Sequence, residues 1–171
     1  GLGDLNYQNR FILSASYRRD GSSRFGSQDR WGNFWSVGLS WNLDKERFIE
    51  ELDFFVQLKL RGSYGYNGNG GIGNYDWFPA YDFSSSYNSI PGSIPGNVGN
   101  LELGWELNKP LNIGIDISIL KSRLNISVDW YNRKSKDLLL NVPLSATTGF
   151  ATQPQNIGEM ENKGVELTII A

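Results

Sequence analysis

Two carboxylates are the chain's best candidates for chemistry. Asp116 lies in L-N-I-G-I-D-I-S-I-L (Leu111–Leu120) and Asp129 in L-N-I-S-V-D-W-Y (Leu124–Tyr131), joined by Lys121-Ser122-Arg123. Folding the two stretches back on each other across that turn predicts Gly114 opposite Tyr131, Ile115 opposite Trp130 and Asp116 opposite Asp129. Acids that close can share a proton, and glycoside hydrolysis uses such a pair. The chain has no His and no Cys, which removes the usual general base and any thiolate. The alternative is that both acids line a water-filled wall near Lys59, Arg61 or Arg133. With no supporting pocket legible around them, the wall is the stronger expectation and no catalytic residue is assigned. Tyr131 over Gly114 then reads as an aromatic packed on a strand glycine.

Two other features compete for function. Gly68-Asn-Gly-Gly-Ile-Gly73 has the spacing of a dinucleotide-binding loop, but Tyr75-Asp-Trp-Phe-Pro follows where a helix is required. A loop base whose glycines take positive φ is the expectation instead. Trp77, Phe78, Tyr81, Phe83 and Tyr87 are interleaved with Gly and Ser; they suit stacking on a sugar, contact with a partner protein, or packing of the loop on itself. No metal site or cofactor is expected, and a net charge of −2 carries no nucleic-acid footprint.

The elements that must position these residues are strands. Leu111, Ile113, Ile115, Ile117 and Ile119 alternate with Asn112, Gly114, Asp116 and Ser118, and Leu124, Ile126, Val128 and Trp130 alternate with Asn125, Ser127 and Asp129. Period-2 alternation puts one set on each face of a strand. It recurs in Leu5–Arg19, in Phe34–Leu43 (Trp35, Val37, Leu39 and Trp41 against Ser36, Gly38 and Ser40), in Phe54–Tyr66 (Val56, Leu58, Leu60 and Tyr64 against Gln57, Lys59, Arg61 and Ser63), and in Val165, Leu167 and Ile169. Long aliphatic and aromatic rows against small or charged ones are the pattern of an antiparallel transmembrane β-barrel, lipid outside and water inside. Trp35, Val37, Leu39, Trp41, Ile113, Ile115, Ile117, Val128 and Trp130 are expected to face lipid. Lys59, Arg61, Asp116, Asp129 and Glu166 are expected on the lumen wall. No run of about 18 apolar residues exists, so no transmembrane helix is present.

The connections alternate in length. Asp44–Asp53 and Lys121–Arg123 are short, the first with a helical turn capped by Asp44; Asp20–Asn33, Asn67–Gly104 and Asn141–Asn162 are long. Barrels keep short turns in the periplasm and long loops outside. That orients the strands and puts Trp35, Tyr64, Tyr66 and Trp130 near the outer interface, Trp41 and Phe11 near the inner one. Pro110 and Lys109 are expected above the lipid. About six strands cannot close a barrel, so residues 1–171 are expected to be part of a larger one, and G-L-G-D-L-N-Y at the start lacks the features of a signal peptide.

Seven blocks, in order, resemble the SusC/RagA group of TonB-dependent outer-membrane transporters: Y-R-R-D-G-S-S-R-F-G (Tyr17–Gly26), R-W-G-N-F-W-S-V-G-L-S-W (Arg30–Trp41), L-K-L-R-G-S-Y-G-Y-N-G-N (Leu58–Asn69), L-G-W-E (Leu103–Glu106), N-I-G-I-D (Asn112–Asp116), R-L-N-I-S-V-D-W-Y-N-R-K-S-K-D-L-L-L (Arg123–Leu140) and N-I-G-E-M-E-N-K-G-V-E-L (Asn156–Leu167). Trp35, where the family often has Pro, and Pro110 depart from the pattern. The resemblance implies a plugged barrel of roughly 22 strands in the outer membrane of a Gram-negative bacterium. It implies that this is a partial barrel domain from the later part of the barrel, with signal peptide, plug and C-terminal strands outside 1–171. It implies no enzyme but an importer of oligosaccharides or peptides, worked by TonB and served by a SusD-like surface lipoprotein. A passive porin or barrel adhesin is one alternative. A soluble β-sandwich carbohydrate-binding module is the other, and it would bury the Trp35/Val37/Leu39/Trp41 face.

Overall fold

The computed structural model describes every residue except Asp53, the last residue of the short connection expected at Asp44–Asp53. Its strands, in chain order, are β1 (Leu2–Tyr7), β2 (Phe11–Gly21), β3 (Trp31–Asn42), β4 (Phe55–Asn69), β5 (Tyr81–Asp82), β6 (Ser86–Tyr87), β7 (Ile90–Pro91), β8 (Ile94–Pro95), β9 (Glu106–Ile119), β10 (Leu124–Lys136), β11 (Leu139–Pro143), β12 (Thr152–Asn156) and β13 (Glu159–Ile170). Seven of them form one open antiparallel sheet, β1-β2-β3-β4-β9-β10-β13, with each strand beside its predecessor in the meander. The other strands pair locally, β5 with β8, β6 with β7 and β11 with β12.

Cross-strand partners share a face, so the register sorts the side chains. One row runs Tyr7–Phe11–Trp41–Leu60–Ile115–Val128–Leu167 and the next Leu5–Leu13–Leu39–Gly62–Ile113–Trp130–Val165. Every residue expected to face lipid lies on this one face. Among the described residues no second layer covers it: Leu39 is 52 % and Leu167 62 % exposed, which is the opposite of what a soluble sandwich requires. From Trp35 to Trp41 the apolar run on β3 is about 20 Å long at the usual rise per residue, close to the apolar band of an outer-membrane barrel.

Three local expectations are corrected. Leu5–Arg19 is two strands, because Gln8 and Asn9 adopt positive φ (52° and 54°) and Arg10 N–H donates to the Tyr7 carbonyl at 2.9 Å. The Asn6 and Asn9 side chains brace this two-residue turn (Nδ2 to Oδ1, 2.7 Å). The turn after β9 also begins one residue earlier than expected, at Leu120. Leu120, Lys121 and Ser122 all have positive φ (53°, 58° and 66°), so Ile119 pairs with Leu124 and the register moves by two residues: Gly114 opposes Asp129, Asp116 opposes Ser127 and Ile115 opposes Val128. Tyr131 consequently covers Gly164, where a Cβ would lie 2.8 Å from its hydroxyl, and not Gly114. Third, β13 begins at Glu159, ahead of the expected Val165. Pro110 does interrupt its ladder as expected: β4–β9 pairs run to Tyr64–Leu111 and resume at Asn67–Asn108.

The short connections meet at one end of the sheet. Leu43–Lys45 is a 3-10 turn and α1 is Arg47–Glu50, but Asp44 caps neither helix. Its Oδ1 instead accepts from the Leu58 N–H at 3.3 Å. Glu46 takes Arg10 through both carboxylate oxygens and accepts from Trp41 Nε1 at 3.0 Å. The Arg10 hydrogen bonds, then that of Trp41, hold the Glu46 carboxyl below the usual glutamate range. A lowered folded-state pKa adds stability that is present above the unfolded value and lost as pH falls through the folded one. The Gln8–Arg10 turn is therefore expected to loosen in acid, below the ordinary glutamate range. Amide exchange at Asn42 and Arg10 should show this step in the native chain and lose it in Glu46→Gln, whose turn exchanges at one rate throughout that range.

Candidate functional site

The face opposite the apolar one carries the charge. Lys59 opposes Asp116, and Arg61 opposes Gly114, which opposes Asp129, which opposes Glu166. All of the expected lumen-wall residues thus fall in two adjacent rows of one face. The two aspartates are diagonal neighbours, and a cation sits between them. Arg61 donates from Nε to Asp116 Oδ2 at 3.0 Å and from Nη2 to Asp129 Oδ2 at 2.7 Å; Ser127 Oγ donates to Asp116 as well. The acids are bridged by a guanidinium and do not pair directly with each other. Glycine at 114 makes the bridge: a Cβ there would lie 2.9 Å from Arg61 Cζ.

Arg61 (37 % exposed) and its two partners (27 % each) are partly desolvated. Removing the cation leaves two like charges side by side. Full burial would make this worth about 3–5 kcal/mol; the exposure scales it to roughly 1–2 kcal/mol. Arg61→Ala in the complete barrel is expected to lower the unfolding midpoint accordingly. Arg61→Ala in an Asp116→Asn/Asp129→Asn background should lower it by much less.

At the end bearing the long connections, sequence reasoning missed a compact aromatic cluster. Phe25, Phe34 and Leu103 are fully buried, with Trp105 against Phe25 (ring centroids 4.9 Å) and Phe34 (5.3 Å). Two glycines of the G-x-G-x-x-G run, Gly68 and Gly70, border it, and the third, Gly73, lies against Asp76. Gly68, Gly70 and Gly73 do not take positive φ; among the described glycines only Gly99, Gly149 and Gly158 do. A Cβ at Gly68 would enter the Phe34 ring, one at Gly70 would sit 3.2 Å from Phe25, and one at Gly73 2.7 Å from the Asp76 carboxylate. The glycines make room; they do not turn the chain. Their spacing opposite Phe25, Phe34 and Trp105 was the available signal.

The connection from β4 to β9 is clamped to the β11–β12 hairpin. Gln153 Nε2 donates to Gly99 O (2.6 Å), Asn100 Nδ2 to Pro154 O (3.0 Å), and Asn156 exchanges two bonds with Gly104 (2.7 and 3.0 Å). Beyond this clamp the chain runs out as a narrow ribbon, β5 and β6 returning through an Asn88-Ser89 turn at positive φ (48° and 65°). Of the expected contact residues, Trp77 is half-buried against Phe78 (5.4 Å). Phe78, Tyr81, Phe83 and Tyr87 are 50 %, 63 %, 76 % and 87 % exposed. Phe78 thus packs on Trp77 within the loop, while Tyr81, Phe83 and Tyr87 stand in solvent.

A one-sided apolar meander with a charged inner face and long connections at one end is the wall of a transmembrane β-barrel. The family model described as "TonB dependent receptor-like, beta-barrel" matches residues 1–170, and the chain belongs to that family. It is 45 % identical over 166 residues to TonB-dependent receptor P39 of Formosa agariphila, covering 97 % of this chain and 16 % of the relative. It is 36 % identical over 180 residues to TonB-dependent receptor SusC of Bacteroides thetaiotaomicron, covering 99 % of this chain and 18 % of that protein. A solved structure of the RagAB peptide transporter superposes with a TM-score of 0.90 at 34 % identity, over 97 % of this chain and 18 % of that one. The chain is of SusC/RagA type, and it spans less than a fifth of the length of these relatives.

Proposed function

We propose that residues 1–171 are a partial barrel domain of an outer-membrane importer, forming wall strands and extracellular loops. The plug and the TonB-contacting segment would lie elsewhere in the parent chain, and a SusD-like lipoprotein would cover the loop end. Arg61, Asp116 and Asp129 would line the lumen beside the plug, with Lys59 and Glu166. The exposed ribbon with Tyr81, Phe83 and Tyr87 would contact the incoming oligosaccharide or peptide or the lipoprotein. No bond is made or broken in this segment; energy arrives through TonB. The observation that carries this is the bare apolar face spanning every strand of the main sheet, backed by a hydrogen-bonded polar one.

Uptake of labelled oligosaccharides and peptides by cells producing the parent transporter tests it. Uptake is expected to require TonB, and Tyr81→Ala/Phe83→Ala/Tyr87→Ala should raise the half-saturating substrate concentration while the barrel still assembles. Uptake that persists without TonB would replace the importer with a passive porin.

A further inference from the structure

On the apolar face no charged residue occurs from Phe11 to Tyr17, Trp35 to Trp41, Leu111 to Ile119, Leu124 to Asn132 or Val165 to Ile169, taking the positions that share that face. At the end with the long connections this changes within one residue pair. Lys109 lies directly opposite Lys134 on β10, and Lys163, opposite Asn132, is the diagonal neighbour of Lys134. Arg19, opposite Asn33, adds a cation on β2 one row further out. Like charges directly across a ladder are destabilising, with Cβ atoms about 5 Å apart, and a diagonal neighbour stands about 7–8 Å away. The carboxylates on this face are Glu161, 3.4 Å from Lys134, and Glu159, 2.8 Å from Lys136. Arg19, Lys109 and Lys163 have no carboxylate partner among the described residues; Arg19 lies over the Trp31 ring (5.1 Å) and Lys109 over that of Tyr66 (5.3 Å).

We infer that Lys109, Lys134 and Lys163 form a binding site for phosphorylated lipid headgroups of the outward leaflet. Three things on the face carry it. The cluster faces the same side as the apolar rows, so its ligand stands where acyl chains end. It sits level with Tyr17, Trp35 and Tyr66, aromatic side chains of the kind found where hydrocarbon meets headgroups. Two carboxylates, Glu159 and Glu161, stand against four cations, Lys109, Lys134, Lys136 and Lys163, so the cluster keeps an excess positive charge that a bound anion neutralises. A phosphate supplies several acceptor oxygens for ammonium donors carried on three neighbouring strands, β9, β10 and β13. Pro110 assists by releasing the Lys109 stretch from the β4 ladder, so that the Lys109 backbone is not held to the pleat on that side.

The inference rests on the membrane assignment above, and the experiment separates the two. The complete transporter is purified in detergent, and its retention of diphosphorylated lipid A is compared with that of dephosphorylated lipid A by native mass spectrometry. The native protein is expected to retain the phosphorylated lipid at least about tenfold better, given the usual contribution of each lysine near a lipid surface. Lys109→Gln/Lys134→Gln/Lys163→Gln should reduce it to the level of the dephosphorylated lipid. Lys109→Arg/Lys134→Arg/Lys163→Arg should keep the preference, which excludes simple misfolding. Equal retention of both lipids by the native protein, or an undiminished preference in the glutamine variant, would overturn the site. Retention of neither lipid would also overturn the site; the membrane assignment would fall only if the complete protein stayed soluble and monodisperse without detergent.

Discussion

Leu39→Arg in the complete barrel is expected to cost about 2–4 kcal/mol, the range for a cation placed on the lipid face near the bilayer midplane. Leu39 is the residue to choose because its row, Leu13–Leu39–Gly62–Ile113–Trp130, is the middle of the apolar band and the side chain is half out of the sheet. Gly62 beside it leaves no bulky neighbour to shelter the guanidinium, and the nearest water lies several residue pairs away along either strand direction. The matched control is Ser14→Arg. Ser14 is on the opposite face, between Gly38 and Asp4 in the register, so the new cation has water and a carboxylate at hand and the expected change is within about 0.5 kcal/mol. Ser40 would be a poorer control, since it stands directly opposite Arg61. Unfolding of both variants from bilayers of defined thickness gives the two numbers. Equal costs would mean that the apolar face is covered by protein and not by lipid.

The face assignment was legible because it depends on parity alone. A register error of two residues at the Lys121–Arg123 turn left every side chain on its proper side, since only an odd shift exchanges the faces. What it changed was which groups meet. Asp116 and Asp129 went from an opposed pair to a diagonal one, with room over Gly114 for Arg61. Parity also explains the strand that was missed. Leu5 pairs with Leu13 and Tyr7 with Phe11, all odd positions, so the alternation reads straight through the Gln8-Asn9 turn as though no turn were there. Positive φ at three successive residues, Leu120, Lys121 and Ser122, has no composition signal comparable with Asn-Gly, and this is why the second turn begins a residue earlier than the sequence suggests. The wall is thus a periodic object that the sequence states repeatedly. Its contacts are single events decided by turn geometry.

The long connections obey no period, and their aromatics have no partners that spacing alone can name. The structure divides them into two kinds. Phe25, Phe34 and Trp105 close a dry cluster at the end of the sheet, while Tyr81, Phe83 and Tyr87 stand in solvent on a ribbon that is clamped only at its base through Gly99, Asn100 and Gly104. A rigid base with an exposed, rotamer-poor aromatic tip suits a contact surface: the tip loses little side-chain freedom on binding, and the base fixes where it stands.

The cluster supplies the second large effect. Phe34 is 1 % exposed, wedged between Gly32 and Gly68 on flanking backbone and edge-on to Trp105. Phe34→Ala removes the wedge, and because the two glycines carry no side chain to fall inward, the cavity cannot collapse. A loss of about 3–5 kcal/mol is expected. It should be local and not global, since the ladders among β2, β3, β4 and β9 remain intact below the cluster and proteins open in such units. The readout is therefore protection at the loop end: amides near Gly70 and Gly104 should exchange some hundredfold faster or more, and protease should cut within residues 70–105, while the barrel keeps its resistance to heat and denaturant. Gly68→Ala approaches the same cluster from the other side, driving a methyl group into the Phe34 ring. It should give the same local opening. If either variant instead lowers the unfolding midpoint of the whole barrel with no selective exposure of that loop, the aromatic cluster is continuous with the wall, and the clamp at Gly99–Gly104 does not isolate the ribbon's base from it.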